Sequence, residues 1–233
     1  MGHLIDTVRH AAAAVVLLAA APLHAADAAQ PPDLDLSIRY YSRVLTPEGV
    51  LRESRYEERM VRRRDHVWTA RVLPQEGMRE EQTGEEHEHK HFNYVVLPRH
   101  VIRDGNGVKL EFVDVRERTV VSIAPSEYES VNFDGSWANA FFLADPRQVA
   151  ALPVTARASA VAGARWHEQE KNGVFRRVLW DEKRMVPLVI ETGNRQDTFY
   201  RRMEIMPQST LSALLPWQGT ASYAQKEYAD FLD

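Results

Sequence analysis

From "LDLSIRYYSRVL" onward, apolar and polar residues alternate in short runs, and turn residues rather than helices separate most of the runs. Side chains two apart in a strand share a face, so this alternation specifies strands with one buried side. Without a crossover between them, consecutive strands pair antiparallel, because a parallel pair needs a connection of a dozen or more residues. The first run puts Leu36, Ile38, Tyr40, Ser42 and Val44 on one face. "TPEG" at 46–49 is a tight turn, with proline early and glycine late. "VLRESRYEERMVRR" returns, and "HVWTARVL" follows, closed by Pro74. "HFNYVVL" predicts another strand, "RHVIRDGNGVKLEFVDV" a hairpin about its Asp-Gly-Asn-Gly turn, and "RTVVSIAP" a further strand. Later come "TARASAV", "ARWHEQEK", "FRRVLWD", "MVPLVIETG" and "TFYRRMEIM", with "KNG" and "DEKR" as turns. The expected class is mainly β (α+β): a large curved antiparallel sheet or half-open barrel of about eleven strands.

Two segments break this pattern. Residues 126–152 read as a helical insertion, with Ser136 capping "WANAFFLA" and Asp145-Pro146 starting "RQVAAL". "YAQKEYADFLD" reads as a C-terminal helix. Residues 75–90 have no apolar period and hold six glutamates, which predicts a surface loop.

The first residues stand apart from this plan. A weakly basic head precedes an apolar run from Ala11 to Leu23, which is short of the about 20 apolar residues that span a bilayer. The expectation is a signal peptide over 1–25, a flexible segment over 26–34 and a single β-rich domain over 35–233. Cleavage there leaves a protein that does not span a membrane and that resides in the periplasm. The chain has no cysteine, which excludes thiol catalysis, iron–sulfur clusters and disulfide staples. Its formal charge of −4 argues against a nucleic-acid partner, which needs a dominant basic face.

Two stretches, "YYSRVLTPEGVLRESRYEERMVRRRDHVWTARVLP" and "FRRVLWDEKRMVPLVIETGNRQDTFYRRMEI", resemble the LolA/LolB-type periplasmic lipoprotein-carrier superfamily. They are also similar to the N-terminal domain of RseB-type regulators. The resemblance implies an unclosed antiparallel barrel wrapped around a helical lid, with an apolar cavity for lipid chains. It implies a lipid or other hydrophobic small molecule, or an exported partner protein, as the occupant of the concave face.

Candidate sites follow from side-chain chemistry. Tyr40, Trp68, Tyr94, Trp137, Phe141 and Phe142 are the expected ligand-binding residues, between sheet and insertion. In "GEEHEHKHFNYVVLPRH", His87, His89 and His91 share a face if extended, and His100 can fold back toward them. Imidazole suits zinc or copper, so a periplasmic metal-binding protein is the alternative reading, against a solvated acidic loop. Glu127, Glu129 and Asp134 read as readily as a turn and helix cap as they do as an acid pair. His167 reads as an ordinary strand histidine, and the arginines at 62–64 as a solvated face. No nucleophile–base pair can be assembled, so a non-catalytic binding or carrier protein is expected.

Overall fold

The computed structural model describes residues 30–74 and 92–231. They contain β1 (Leu34–Leu45), β2 (Leu51–Arg63), β3 (His66–Arg71), β4 (Arg99–Asp104), β5 (Gly107–Asp114) and β6 (Thr119–Ile123). Two short helices follow, α1 (Trp137–Phe142) and α2 (Pro146–Ala150), preceded by 3-10 turns at Pro125–Glu127 and Glu129–Val131. The chain then forms β7 (Ala164–Lys171), β8 (Val174–Asp181), β9 (Val186–Asn194), β10 (Phe199–Pro207) and β11 (Ala224–Glu227). All eleven strands belong to one sheet, in the order β11-β6-β5-β4-β3-β2-β1-β10-β9-β8-β7. Its two end strands do not pair with each other, so the sheet is open.

The turn chemistry acts where the sequence places it. Gly49 in "TPEG" and Gly173 in "KNG" have positive φ, and Asn172 joins Gly173 there, as the tight β7–β8 hairpin requires. Ser136 accepts a hydrogen bond from the Asn139 N–H, and Asp145 from that of Arg147, so both expected helix caps form. β1 is the joint of the molecule. Ile38 stands opposite Glu58 of β2 and opposite Ile205 of β10, so the first and last thirds of the chain meet across it.

The two faces of the sheet are covered differently. On one, Leu36, Ile38, Met60, Val67, Val101, Leu110, Phe112, Val121 and Ile205 pack against Val131, Phe133, Ala140 and Phe141 of the insertion. A second cluster joins Ala144, Val149 and Leu152 to Val178 and Trp180. On the other face, Trp68, Val113 and Val120 lie beneath Trp217 and Tyr223. We call these the insertion face and the strap face, because residues 208–223 cross the latter as a strap before entering β11. The strap is tied at its start by the Ser212 N–H, which donates to the Asp35 carboxylate at 2.8 Å. Arg63 bridges the same point, with Nη1 on Asp35 at 2.8 Å and Nη2 on the Ser212 carbonyl at 3.3 Å. Burial opposes the Asp35 charge, but the bonds from Ser212 and Arg63 outweigh it and hold this carboxyl below its ordinary range.

Four sequence expectations are corrected. "HFNYVVL" is not a strand over its described residues: the Asn93 side chain accepts from the Val95 N–H and its carbonyl from the Val96 N–H, which closes a turn. This sends Phe92 and Tyr94 together onto Phe112. "TARASAV" is irregular, because only Val154 bridges His167 before the chain leaves the β7 edge. The tail is not a helix. Ala224–Glu227 pairs parallel with β6, and Tyr228–Phe231 is a 3-10 turn. An eleven-residue helix is marginal alone, whereas the β6 edge offers unpaired backbone groups. Last, Arg62 is no surface residue but is fully buried. Its guanidinium donates to the carbonyls of Pro32 (2.9 Å), Arg184 (2.7 Å), Met185 (3.1 Å) and Phe141 (3.4 Å). It also lies over the Phe141 ring at 4.8 Å. Burial pulls its pKa down to about 10, partly offset by Asp33, so it remains charged at neutral pH.

Candidate functional site

The insertion does not leave a deep apolar cavity. Phe141 is 3% exposed and belongs to the core, and Phe142 packs between Phe141 and the second cluster. Trp137 is covered by Phe141 and by the Arg103 guanidinium at 4.6 Å from its ring. Trp68 points the other way, onto the strap face, because its alternation partner Thr69 is the one facing the insertion. Of the six residues expected to bind ligand, Tyr40 borders a hollow with Tyr41, Arg55 and Arg202, and Tyr94 lines a second open space.

That space is a groove on the insertion face. Its inner part, about 210 Å³, is lined by Tyr56, Glu58, Thr69, Arg71, Tyr94 and Arg99 among others. Its outer part, about 420 Å³, continues past Arg99 and Asn132 to Glu129, Asp134 and Asn139. Strand geometry builds it. Thr69 of β3 is opposite Arg99 of β4, and Arg71 is opposite Glu58 of β2, so these side chains share one face. Asn132 enters from the insertion in a left-handed conformation, which asparagine tolerates.

The groove pairs aromatic and cationic groups. Tyr40 and Tyr56 stack at 4.4 Å, and Arg71 lies over the Tyr56 ring at 3.9 Å. Burial, then the neighbouring Glu58, pushes the Tyr40 hydroxyl far above its ordinary range, so it stays protonated and donates to that carboxylate. Neither Arg71 nor Arg99 has an ion pair among the described residues, and Arg99 Nε is buried without a hydrogen-bond partner. Arg71 and Arg99 were not singled out from sequence, because only pairing register shows that they converge. Asp134 and Glu127 serve the backbone: Asp134 accepts from the Ser136 N–H and Glu127 from that of Ala124.

The expected metal site is not assembled among the described residues. His87, His89 and His91 lie outside them. His100 is committed elsewhere: it is buried on the strap face, with one ring nitrogen 3.0 Å from His66 and the other 3.3 Å from Glu111. It therefore leaves the proposed ligand set. The described residues hold no group of three or more histidine and acidic side chains placed to bind a metal ion. His167 is buried, with Nδ1 on the Leu152 carbonyl at 3.3 Å. Among the described residues no hydroxyl bonds the His66–His100–Glu111 chain, so it lacks a nucleophile. None of the described helices is long and apolar enough to cross a membrane.

No protein-family model and no curated protein sequence matches this chain. Several solved structures are similar to it. The PNGF-II structure matches 85% of this chain at 8% identity and a TM-score of 0.34, and this chain spans only 32% of that one. A putative outer membrane lipoprotein-sorting protein domain from Vibrio parahaemolyticus matches 77% of this chain and 87% of its own, at 11% identity and a TM-score of 0.30. The Pseudomonas aeruginosa MucA/MucB complex matches 77% of this chain and 53% of its own, at 12% identity and a TM-score of 0.36. The neighbours include the lipoprotein-sorting fold that the sequence pattern resembles.

Proposed function

We propose that this is a non-catalytic binding protein of the periplasm, which holds its ligand or a partner's segment in the groove around Arg71 and Arg99. The observation that carries the reading is that pair of arginines, without ion-pair partners among the described residues and set beside Tyr40, Tyr56 and Tyr94. A buried donor left unmatched costs free energy, and an acceptor on a bound molecule would remove that cost. Tyrosine rings add amphipathic contact area at low entropic cost.

The geometry also narrows the ligand. The apolar side chains of this face are consumed by the insertion, so a wholly hydrophobic guest has little to fill. Alone, the inner hollow is smaller than the roughly 300–1,000 Å³ of small-molecule pockets, which favours an elongated guest that continues past Arg99. Glu58, Glu129 and Asp134 line the same groove, so a single anionic or acceptor group suits it better than a polyanion. The ligand class is therefore amphipathic: an apolar or aromatic body with one acceptor group, or an equivalent segment of an exported protein. The apolar run over Ala11–Leu23 supports the compartment.

The test is native mass spectrometry of the protein taken from its own compartment, beside an Arg71→Ala/Arg99→Ala variant. We expect an adduct or partner on the wild type, with occupancy lowered at least about tenfold in the variant at unchanged thermal stability. That factor corresponds to losing one charge-assisted bond. Equal occupancy in both proteins would rule the groove out.

A further inference from the structure

The strap face carries a cluster that the groove does not use. His66 Nδ1 and His100 Nε2 face each other at 3.0 Å, and His100 Nδ1 is 3.3 Å from Glu111 Oε2. Lys109 Nζ holds the other Glu111 oxygen at 2.7 Å. The Trp217 indole lies flat over both imidazoles, with centroids 4.9 Å from His66 and 5.3 Å from His100 and planes within 15° of parallel. Trp217 belongs to the strap and, with Tyr223, covers Trp68, Val113 and Val120. Beyond it, Arg118 bonds the Ser222 hydroxyl at 2.9 Å and lies over the Tyr223 ring.

Only one hydrogen fits between two ring nitrogens 3.0 Å apart. With both rings neutral, His66 Nδ1–H donates to His100 Nε2, and His100 Nδ1–H donates to Glu111. One added proton preserves both contacts, because a ring between Glu111 and the other imidazole can donate to each. The indole face favours that one imidazolium. A second proton sets N–H against N–H and puts two cations under one indole, and no tautomer preserves the contact.

We infer that His66, His100 and Trp217 form a proton-operated clasp: the strap is docked while the two imidazoles share one hydrogen at their contact, and it lifts off Trp68, Val113 and Val120 when a further proton at His66 sets N–H against N–H. Every charged group near the pair bears on this. Asp65 beside His66 and Glu111 on β5 favour its charge. Lys109 neutralises Glu111, and Arg63, opposite His66 in the β2–β3 register, adds positive charge while holding Ser212. Burial, then His100, outweighs the two carboxylates and holds His66 below its ordinary 6.5. The sign follows. A released His66 titrates at its ordinary value and a docked one lower, so docking is complete above about pH 6.5 and is lost as pH falls below it. Each unit between the two values changes the docked-to-released ratio about tenfold.

The experiment uses the full chain labelled with 5-fluorotryptophan, with the Trp217 resonance assigned through Trp217→Phe. Fluorine spectra are followed from about pH 7.5 to about pH 5, across the histidine range. In the wild type the Trp217 resonance should move to the position of a solvated indole, with a midpoint below that of free histidine. In His66→Phe, which keeps a stacking ring and removes the proton acceptor, it should stay in place throughout. His66→Gln is the second variant, to be used if the phenylalanine protein does not fold. A Trp217 resonance that is static in the wild type, or moves identically in the variant, overturns the clasp. The groove lies on the other face, so neither result depends on whether it binds a ligand.

Discussion

Arg62 concentrates the residue-scale lesson. A guanidinium bonded to four carbonyls from three separate segments joins the N-terminal lead-in, the insertion and the β8–β9 turn to β2. Removing it leaves four carbonyls without their donor, that of Phe141 in a buried site, and the penalty for stranding a buried polar group exceeds the worth of the bond itself. Arg62→Met, close in length, should destabilise the protein by about 1–3 kcal/mol in urea unfolding, the cost of leaving a buried acceptor unmatched. Arg62→Lys should recover little of this, because one ammonium cannot span the fork. A Met variant within about 1 kcal/mol of wild type would show that the carbonyls find other partners.

At the scale of elements, the tail shows how context overrides local preference. β6 has β5 on one side and would otherwise present a bare edge, and β11 covers that edge in parallel. Tyr228 and Phe231 then close over Phe92 on the insertion face. Deleting residues 224–233 should therefore expose the β6 edge and bare Phe92 together. The expected outcome is concentration-dependent self-association, seen by light scattering, with a lowered thermal midpoint. A truncated protein that stays monomeric at the wild-type midpoint would mean that β11 is ornamental. The hairpin turns and both helix caps, by contrast, were legible in the sequence, because their chemistry is local: Asn172-Gly173 needs positive φ and Ser136 needs only the amide three residues on.

At the scale of the whole molecule, the sheet has no division at which it could separate. β1 bonds β2 along its entire length and β10 along most of it, and Arg62 ties both sides to the insertion. Unfolding should be one transition, with tryptophan fluorescence and far-ultraviolet circular dichroism coincident in urea. Separate transitions for the β2–β6 and β7–β10 portions would contradict this. Open sheets of this kind also leave two faces to be covered, and here each cover serves a different end. The insertion packs over one face beside the Arg71–Arg99 groove, and the strap covers the other over a histidine pair.

Ten of the eleven strands, the antiparallel meander, most turns and the place of the insertion could be read from the amino-acid sequence, since period-two alternation and turn residues act over a few neighbours. Of the aromatic residues it singled out, Tyr94 lines the groove and Tyr40 stacks on Tyr56 at its edge. It could not show that Trp68 faces away from Tyr94, that His100 meets His66 and Glu111, or that Arg62 is buried. Each of those facts depends on pairing register, and a register joins strands that are far apart in the chain. A one-residue step reverses a side chain's face, so only the assembled sheet decides which groups meet.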